Sequence, residues 1–243
     1  MENLVKKINF FLVKKALRFI DKYSFSDLSV RAHNHSISFH RNDYVVNEGD
    51  VAIIHLPKTG GTTLKNVLNT STMVPDGRIK NMDAHMPISL VCPPENSQYI
   101  TFMRNPIDRV FSYYKMQLRD NSQPYHFHAK DGLSTLLQSC WEVRNTACMY
   151  YSGMIYESMT RQHLRTSIDN LNNFLFVGDF SDFDNELIRL QEKLHVNAQR
   201  APHLNSSETL LPNKHERTFI RSYNMLDIEL YDDFFKKNFK VTE

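Results

Sequence analysis

The chain lacks the marks of most specialised protein classes. Only three of its 243 residues are cysteine: Cys92, Cys140 and Cys148. Their spacing makes no zinc pattern, and so sparse and odd a set fits a reducing compartment. The sequence leaves open a single bridge between Cys140 and Cys148. The formal net charge is +2, too small to draw the molecule as a whole to nucleic acid, and no nucleic-acid motif is present. No apolar run approaches the roughly 20 residues that span a bilayer. The longest near the start, residues 8–13, is interrupted by Asn9 and ended by Lys14 and Lys15, and it lacks a signal-peptide cleavage pattern. There are no internal repeats and no low-complexity tracts. What remains is a length sufficient for one α/β domain with a large core.

Hydrophobic periodicity divides that length. Val51-Ala52-Ile53-Ile54 and the run from Tyr99 to Met103 are short and apolar, as buried strands are. Residues 174–177 predict a third strand. Helical spacing is read over residues 133–151, 182–194 and 214–239, the last from Ile220, Leu226, Leu230 and Phe234. Residues 69–94, rich in Thr, Asp, Asn and Pro, read largely as loop, and Val45-Val46 as a short strand. Strands alternating with helices imply a parallel sheet. The expected fold is a single P-loop-like α/β domain, residues 49–243, with a central parallel sheet flanked by helices. An N-terminal helical extension, residues 1–48, precedes it.

The most informative stretch is His55-Leu56-Pro57-Lys58-Thr59-Gly60-Gly61-Thr62-Thr63-Leu64, placed where a strand turns into a helix. The first N–H groups of a helix have no internal acceptors, and the helix dipole adds positive potential there. Glycines let the backbone approach a ligand, and Lys58 adds a full charge. This is chemistry for a phosphate or sulfate group. The order differs from the common P-loop, where lysine follows the glycines.

A second strand–helix turn carries Arg104-Asn105-Pro106-Ile107-Asp108-Arg109-Val110-Phe111-Ser112-Tyr113-Tyr114. Pro106 suits the first helical position and Asp108 the first turn. Arg104 offers a planar fork of donors, and Ser112 a hydroxyl. In a parallel sheet both turns open at the carboxyl edge, where ligands bind. Two anion sites on one edge suit a ligand with phosphates at both ends. Arg109 stands between two roles, ligand contact and structural ion pair.

These two motifs, in this order and some forty residues apart, resemble the cofactor motifs of sulfotransferases that use 3′-phosphoadenosine 5′-phosphosulfate (PAPS). They are most similar to the carbohydrate branch with the heparan sulfate and uronyl 2-O-sulfotransferases and bacterial relatives. Segments at 145–153, 174–178 and 203–212 agree more weakly, so the likeness covers roughly residues 50–235. The resemblance implies that Lys58, Thr59, Gly60, Gly61, Thr62 and Thr63 cradle the 5′-phosphosulfate. Arg104 and Ser112 would hold the 3′-phosphate, and Ser206 and Ser207 would help bind the nucleotide; a plain helix cap is the other reading of that serine pair. His85, in Asp83-Ala84-His85-Met86-Pro87, occupies the place where that branch carries its catalytic histidine. It would be the general base toward the acceptor hydroxyl. Lys58 would stabilise charge on the leaving oxygen, and the scheme demands no metal. The expected partner is a carbohydrate acceptor, either an oligo- or polysaccharide or a glycolipid.

Two rival functions stand beside this one. A nucleotide phosphotransferase would require magnesium, and its standard lysine placement and acidic strand-end partner are missing. A non-catalytic nucleotide- or glycan-binding protein would not depend on His85. Other residues carry weaker signals. His126 and His128 have the spacing of two imidazoles on one strand face, but no carboxylate or cysteine completes a metal set, and a solvated loop is the simpler reading. Lys115, Arg119 and Lys130 read as contacts to an anionic sugar or as plain surface charge. Residues 1–20 hold five basic residues and one acid, hence +4. Leu4, Ile8, Phe11, Leu12 and Phe19 share one helical face. That is a basic amphipathic helix, suited either to an anionic membrane surface or to packing on the domain. The sequons at Asn69 and Asn205 lie inside or beside cofactor segments, where a glycan would obstruct. This favours a cytoplasmic protein, peripheral at the membrane, over a truncated Golgi-lumenal one.

Overall fold

The computed structural model describes residues 50–70, 79–81, 87–88, 98–153, 158–195 and 211–236. The N-terminal extension with its amphipathic helix, Val45-Val46, His85, Cys92, Ser206 and Ser207 lie outside them. Four strands form one sheet: β1 (Val51–Ile53), β2 (Ile79–Asn81), β3 (Gln98–Met103) and β4 (Phe176–Asp179), in the order β2-β1-β3-β4. Every pairing is parallel, with Val51 opposite Ile79 and Gln98, and Ile100 opposite Phe176. The helices are α1 (Gly61–Thr70), α2 (Pro106–Arg119), α3 (His126–Lys130), α4 (Leu133–Ser139), α5 (Thr146–Ser152), α6 (Arg161–Asn172), α7 (Phe183–Lys193), α8 (Lys214–Tyr223) and α9 (Met225–Phe235).

The strands read as unbroken apolar runs because both faces of the sheet are covered. Ala52, Ile54, Leu56, Tyr99 and Met103 pack with residues of α5, α6 and α9. Val51, Ile53, Ile100, Phe102 and Phe176 face Leu64 and Val67 of α1 and Leu187 and Leu190 of α7. A third cluster joins α2, α4 and α8 through Val110, Leu136, Leu137 and Ile220. Among the described residues no helix is long and apolar enough to cross a membrane.

Several boundaries differ from the sequence expectation. The helix expected over 133–151 is interrupted: Cys140 and Arg144 are extended and Asn145 is left-handed, with a short 3-10 turn at Trp141–Val143. The helix expected over 214–239 breaks at Asn224. Both breaks serve one buried junction. Asn224 Oδ1 accepts from Asn145 N at 3.0 Å, while Asn145 Oδ1 accepts from Leu226 N and Asp227 N at 3.1 and 3.2 Å. The Asp227 carboxylate accepts from Ala147 N and Cys148 N, each at 2.9 Å, and so caps α5 from another helix. Periodicity alone cannot show such long-range caps. The third strand starts two residues later than expected and runs on to Asp179. The helix expected over 182–194 is α7, preceded by a 3-10 turn at Phe180–Asp182. β2 falls in the region read as loop, too short to show an alternation. His126 and His128 lie on a helix rather than on a strand or in a loop, and His126 is buried with Nδ1 2.8 Å from Gln117 O. Cys140 and Cys148 are free, buried thiols, which closes the question of a bridge between them.

Arg109 completes the junction. Its guanidinium is buried, lies 3.7 Å from Asp227 and donates to Thr146 Oγ1 at 2.9 Å. Burial pushes the Asp227 carboxyl up, and Arg109 with the two backbone donors holds it back. Of its two open roles, the structural ion pair is the one the fold displays. Removing one partner of a buried pair leaves an uncompensated charge. Asp227→Ala is therefore expected to lose about 3–5 kcal/mol of unfolding free energy in urea. Adding Arg109→Met should recover part of that loss, and a cost below ~1 kcal/mol for the single variant would refute the clamp.

Candidate anion site at the carboxyl edge of the sheet

The order of the strands creates the site. From β1 the chain moves through α1 to β2 on one side, and later returns through β3 on the other side of β1. The crevice where strand order reverses therefore opens between β1 and β3, the place where doubly wound sheets bind ligands. The two sequence motifs leave the sheet at these two strands and stand side by side.

The loop after β1 is held from several directions. Ile54 N donates to Ile100 O at 2.9 Å, and Thr101 Oγ1 donates to Ile54 O at 2.7 Å, extending the hold beyond the strand. Thr59 Oγ1 donates to Leu56 O at 2.9 Å, so this hydroxyl closes the loop on itself. Lys58 and Gly60 both have positive φ, +70° and +77°. For an L residue the left-handed conformation costs roughly 1–2 kcal/mol, and only Lys58 bears that cost. Gly60 also needs to lack a side chain, because a Cβ would lie 2.6 Å from the Phe180 ring. Gly60 O then accepts from Leu64 N at 3.0 Å, the first bond of α1. The N–H groups of Gly61, Thr62 and Thr63 stand ahead of any intrahelical acceptor and present a positive helix end.

Arg104 links the second turn to the first. Its Nη1 donates to Lys58 O at 3.2 Å, and its guanidinium lies over the Phe180 ring, 4.8 Å from the centroid. Asn105 Oδ1 accepts from Ile107 N at 3.0 Å to cap α2, with Pro106 in the first turn. Ser112, Lys115 and Arg119 follow at intervals that place them along one side of α2. Burial lowers the affinity of the Lys58 amine for its proton, and Arg119, Arg104 and Lys115 lower it further. Burial also lowers Arg104, opposed by Asp108. Four cations thus converge, which is an arrangement for binding a multiply charged anion.

The structure brings Lys58, Thr59, Gly60, Gly61, Thr62, Thr63 and Arg104 together, with Ser112 half-buried on α2. It keeps Arg109 away, at the junction with Asp227. Phe180, which supports both Gly60 and Arg104, carried no signal in the sequence. Lys115 and Arg119 did carry one, since they lie three and seven residues past Ser112, but only the fold shows that they act on Lys58.

Against known proteins, residues 42–234 match the model of the sulfotransferase family. No curated protein matches. Among solved structures, a crystal structure of mouse sulfotransferase SULT7A1 complexed with PAP is similar at a TM-score of 0.43 and 13% identity. The alignment covers 85% of this chain and 90% of that one.

The crowding of cations sets up a test by unfolding. Lys58→Met should leave the unfolding temperature of the ligand-free protein unchanged or raised, since a repelled charge is removed. It should abolish most of the rise that added pyrophosphate gives the wild type. A variant that loses ligand-free stability yet keeps the full rise would show that Lys58 is not an anion contact. The proton balance has a definite sign. Lys58 titrates below 10.5 in the fold, so in the alkaline window beneath that value the unfolded chain binds more protons and stability rises with pH. A bound anion reverses the shift, and pyrophosphate binding there should take up protons, as calorimetry in two buffers would show.

Proposed function

The chain belongs to the sulfotransferase family, and we propose that it moves a sulfuryl group from PAPS to a hydroxyl of a carbohydrate acceptor. The observation that carries this reading is the side-by-side placement of the two turns, with Arg104 reaching Lys58 O at 3.2 Å. One edge then offers two groups of anion donors, as a nucleotide with phosphates at both ends requires. The convergent cations fit such a donor, because the Lys58 amine is destabilised until a counter-charge arrives.

The donor supplies an activated sulfuryl group on a phosphate leaving group; the chain supplies position and charge. Backbone N–H groups from Lys58 to Thr63 and the Thr62 and Thr63 hydroxyls bind the anionic end. Lys58 holds positive charge where the leaving oxygen gains negative charge, the kind of preorganised stabilisation that contributes most in dry sites. Arg104 and Ser112 bind the 3′-phosphate, and Ser206 and Ser207 add nucleotide contacts. His85 takes the proton of the acceptor hydroxyl. Lys115 and Arg119 extend positive potential away from Lys58 and favour an acceptor bearing carboxylate or sulfate groups.

The test is transfer of radiolabelled sulfate from PAPS to a panel of neutral and acidic glycans. His85→Ala should lower turnover by about 10²- to 10⁴-fold while PAP still binds. Arg104→Ala should weaken PAP binding itself. Transfer that survives His85→Ala undiminished would remove the base from the scheme, and failure of the wild type to bind PAP would remove the donor.

A further inference from the structure

The alternation of β1 points one more side chain at the anion site. Ala52, Ile54 and Leu56 face the α5 and α9 side of the sheet, whereas Val51 and Ile53 face α1. Successive side chains along an extended strand point to opposite faces. His55 therefore continues the series of Val51 and Ile53, past the end of the strand and onto the start of α1. It is the one polar residue of that series, and it is half-buried.

Its ring explains the second glycine of the loop. Gly60 is needed for its positive φ, but Gly61 is already in α1, and positive φ among the described glycines is confined to Gly60, Gly132 and Gly153. A Cβ at position 61 would instead lie 1.8 Å from His55 Nε2 and 2.0 Å from Cε1. The imidazole occupies the volume in which any other residue would place its side chain. A polar ring seated on the first residue of a helix lies beside N–H groups that lack intrahelical acceptors.

We infer that His55 is a ligand-contacting residue of the transfer site, donating a hydrogen bond from its imidazole to the anionic group held at the N-terminus of α1. The glycine at 61 admits that ring. This rests on the donor-binding reading above, and the roles of Lys58, Arg104 and His85 do not depend on it.

Calorimetric titration with PAP, alongside thermal unfolding of the ligand-free protein, tests the idea through three variants. Gly61→Ala alone should lose PAP binding, because its methyl group and the imidazole claim the same space. His55→Ala combined with Gly61→Ala removes that conflict and should restore ligand-free stability, yet bind PAP about tenfold or more weakly than the wild type, the scale of one hydrogen bond to a charged group. His55→Gln keeps an N–H at nearly the same reach and should stay within about threefold of the wild type. If the double variant regains wild-type affinity, the ring only fills space and the inference falls. It falls equally if Gly61→Ala binds normally, or if His55→Gln is as weak as the double variant. A wild type that does not bind PAP at all sinks the donor reading first, and this inference with it, whereas binding by the wild type separates the two.

Discussion

The parallel pairing of β1 with β3 is the constraint on which the candidate site depends. Each strand ends in a loop that opens a helix, and each loop carries one half of the proposed anion site. Had β2 intervened between them, Arg104 would stand one strand spacing, about 4.8 Å, further from the Lys58 loop, and its 3.2 Å bond to the Lys58 carbonyl could not form. The pairing also extends past the strand itself, through Ile54 N to Ile100 O and Thr101 Oγ1 to Ile54 O. The loop thereby inherits the rigidity of the sheet at the point where its backbone departs into left-handed angles.

That rigidity holds together groups that repel one another. Arg119, Arg104 and Lys115 all disfavour the charge on Lys58, which is half-buried as well. An unrestrained loop would swing such a lysine into water. Here Arg104 grips the Lys58 carbonyl while its guanidinium rests on Phe180, and the Thr59 hydroxyl ties the loop to Leu56. The electrostatic cost of assembling the cluster is met by the fold before any ligand arrives. The field then acts in full on a bound anion without further reorganisation, which is what makes preorganised charge effective in catalysis.

Much of this was legible in the sequence because the relevant signals are local. A β-branched run followed by Lys58-Thr59-Gly60-Gly61 announces a strand and an anion loop within fourteen residues of Val51, and Asn105-Pro106 with Asp108 announces a capped helix. What stayed hidden depends on distant partners. Asn145 and Asn224 look like ordinary polar residues within helical patterns, yet each breaks its helix so that its amide can serve the other segment, 79 residues away. Asp227 reads as a surface acid on α9 and is fully buried, capping α5. β2 is three residues long, too few for any periodicity. His85, proposed as the base, and the two serines proposed for the nucleotide fall outside the described residues, so their assignment rests on sequence alone.

The two arginines of the second motif show how helical phase separates function from stability. Arg104 precedes α2 and points along the sheet edge. Arg109 lies one turn inside; Ile107, Val110 and Phe111 pack with α4 and α8, while the Arg109 side chain leaves the helix on another side and reaches Thr146 of α5 and Asp227 of α9. From the sequence, Arg104 is expected at the 3′-phosphate, whereas Arg109 stands open between ligand contact and structural ion pair. Once α2 is docked by its apolar face, residue 109 is carried inward, where only a carboxylate and the donors that hold it can make a guanidinium tolerable. Ser112, Lys115 and Arg119 are left along the helix toward Lys58. Loss of activity on changing Arg109 is therefore a loss of the platform on which α2 sits, and it should be accompanied by loss of folding. Loss on changing Arg104 removes a contact at the open edge and need not be. The same helix thus holds the domain together with one side and carries residues of the proposed anion site on another, and the pair with Asp227 anchors it.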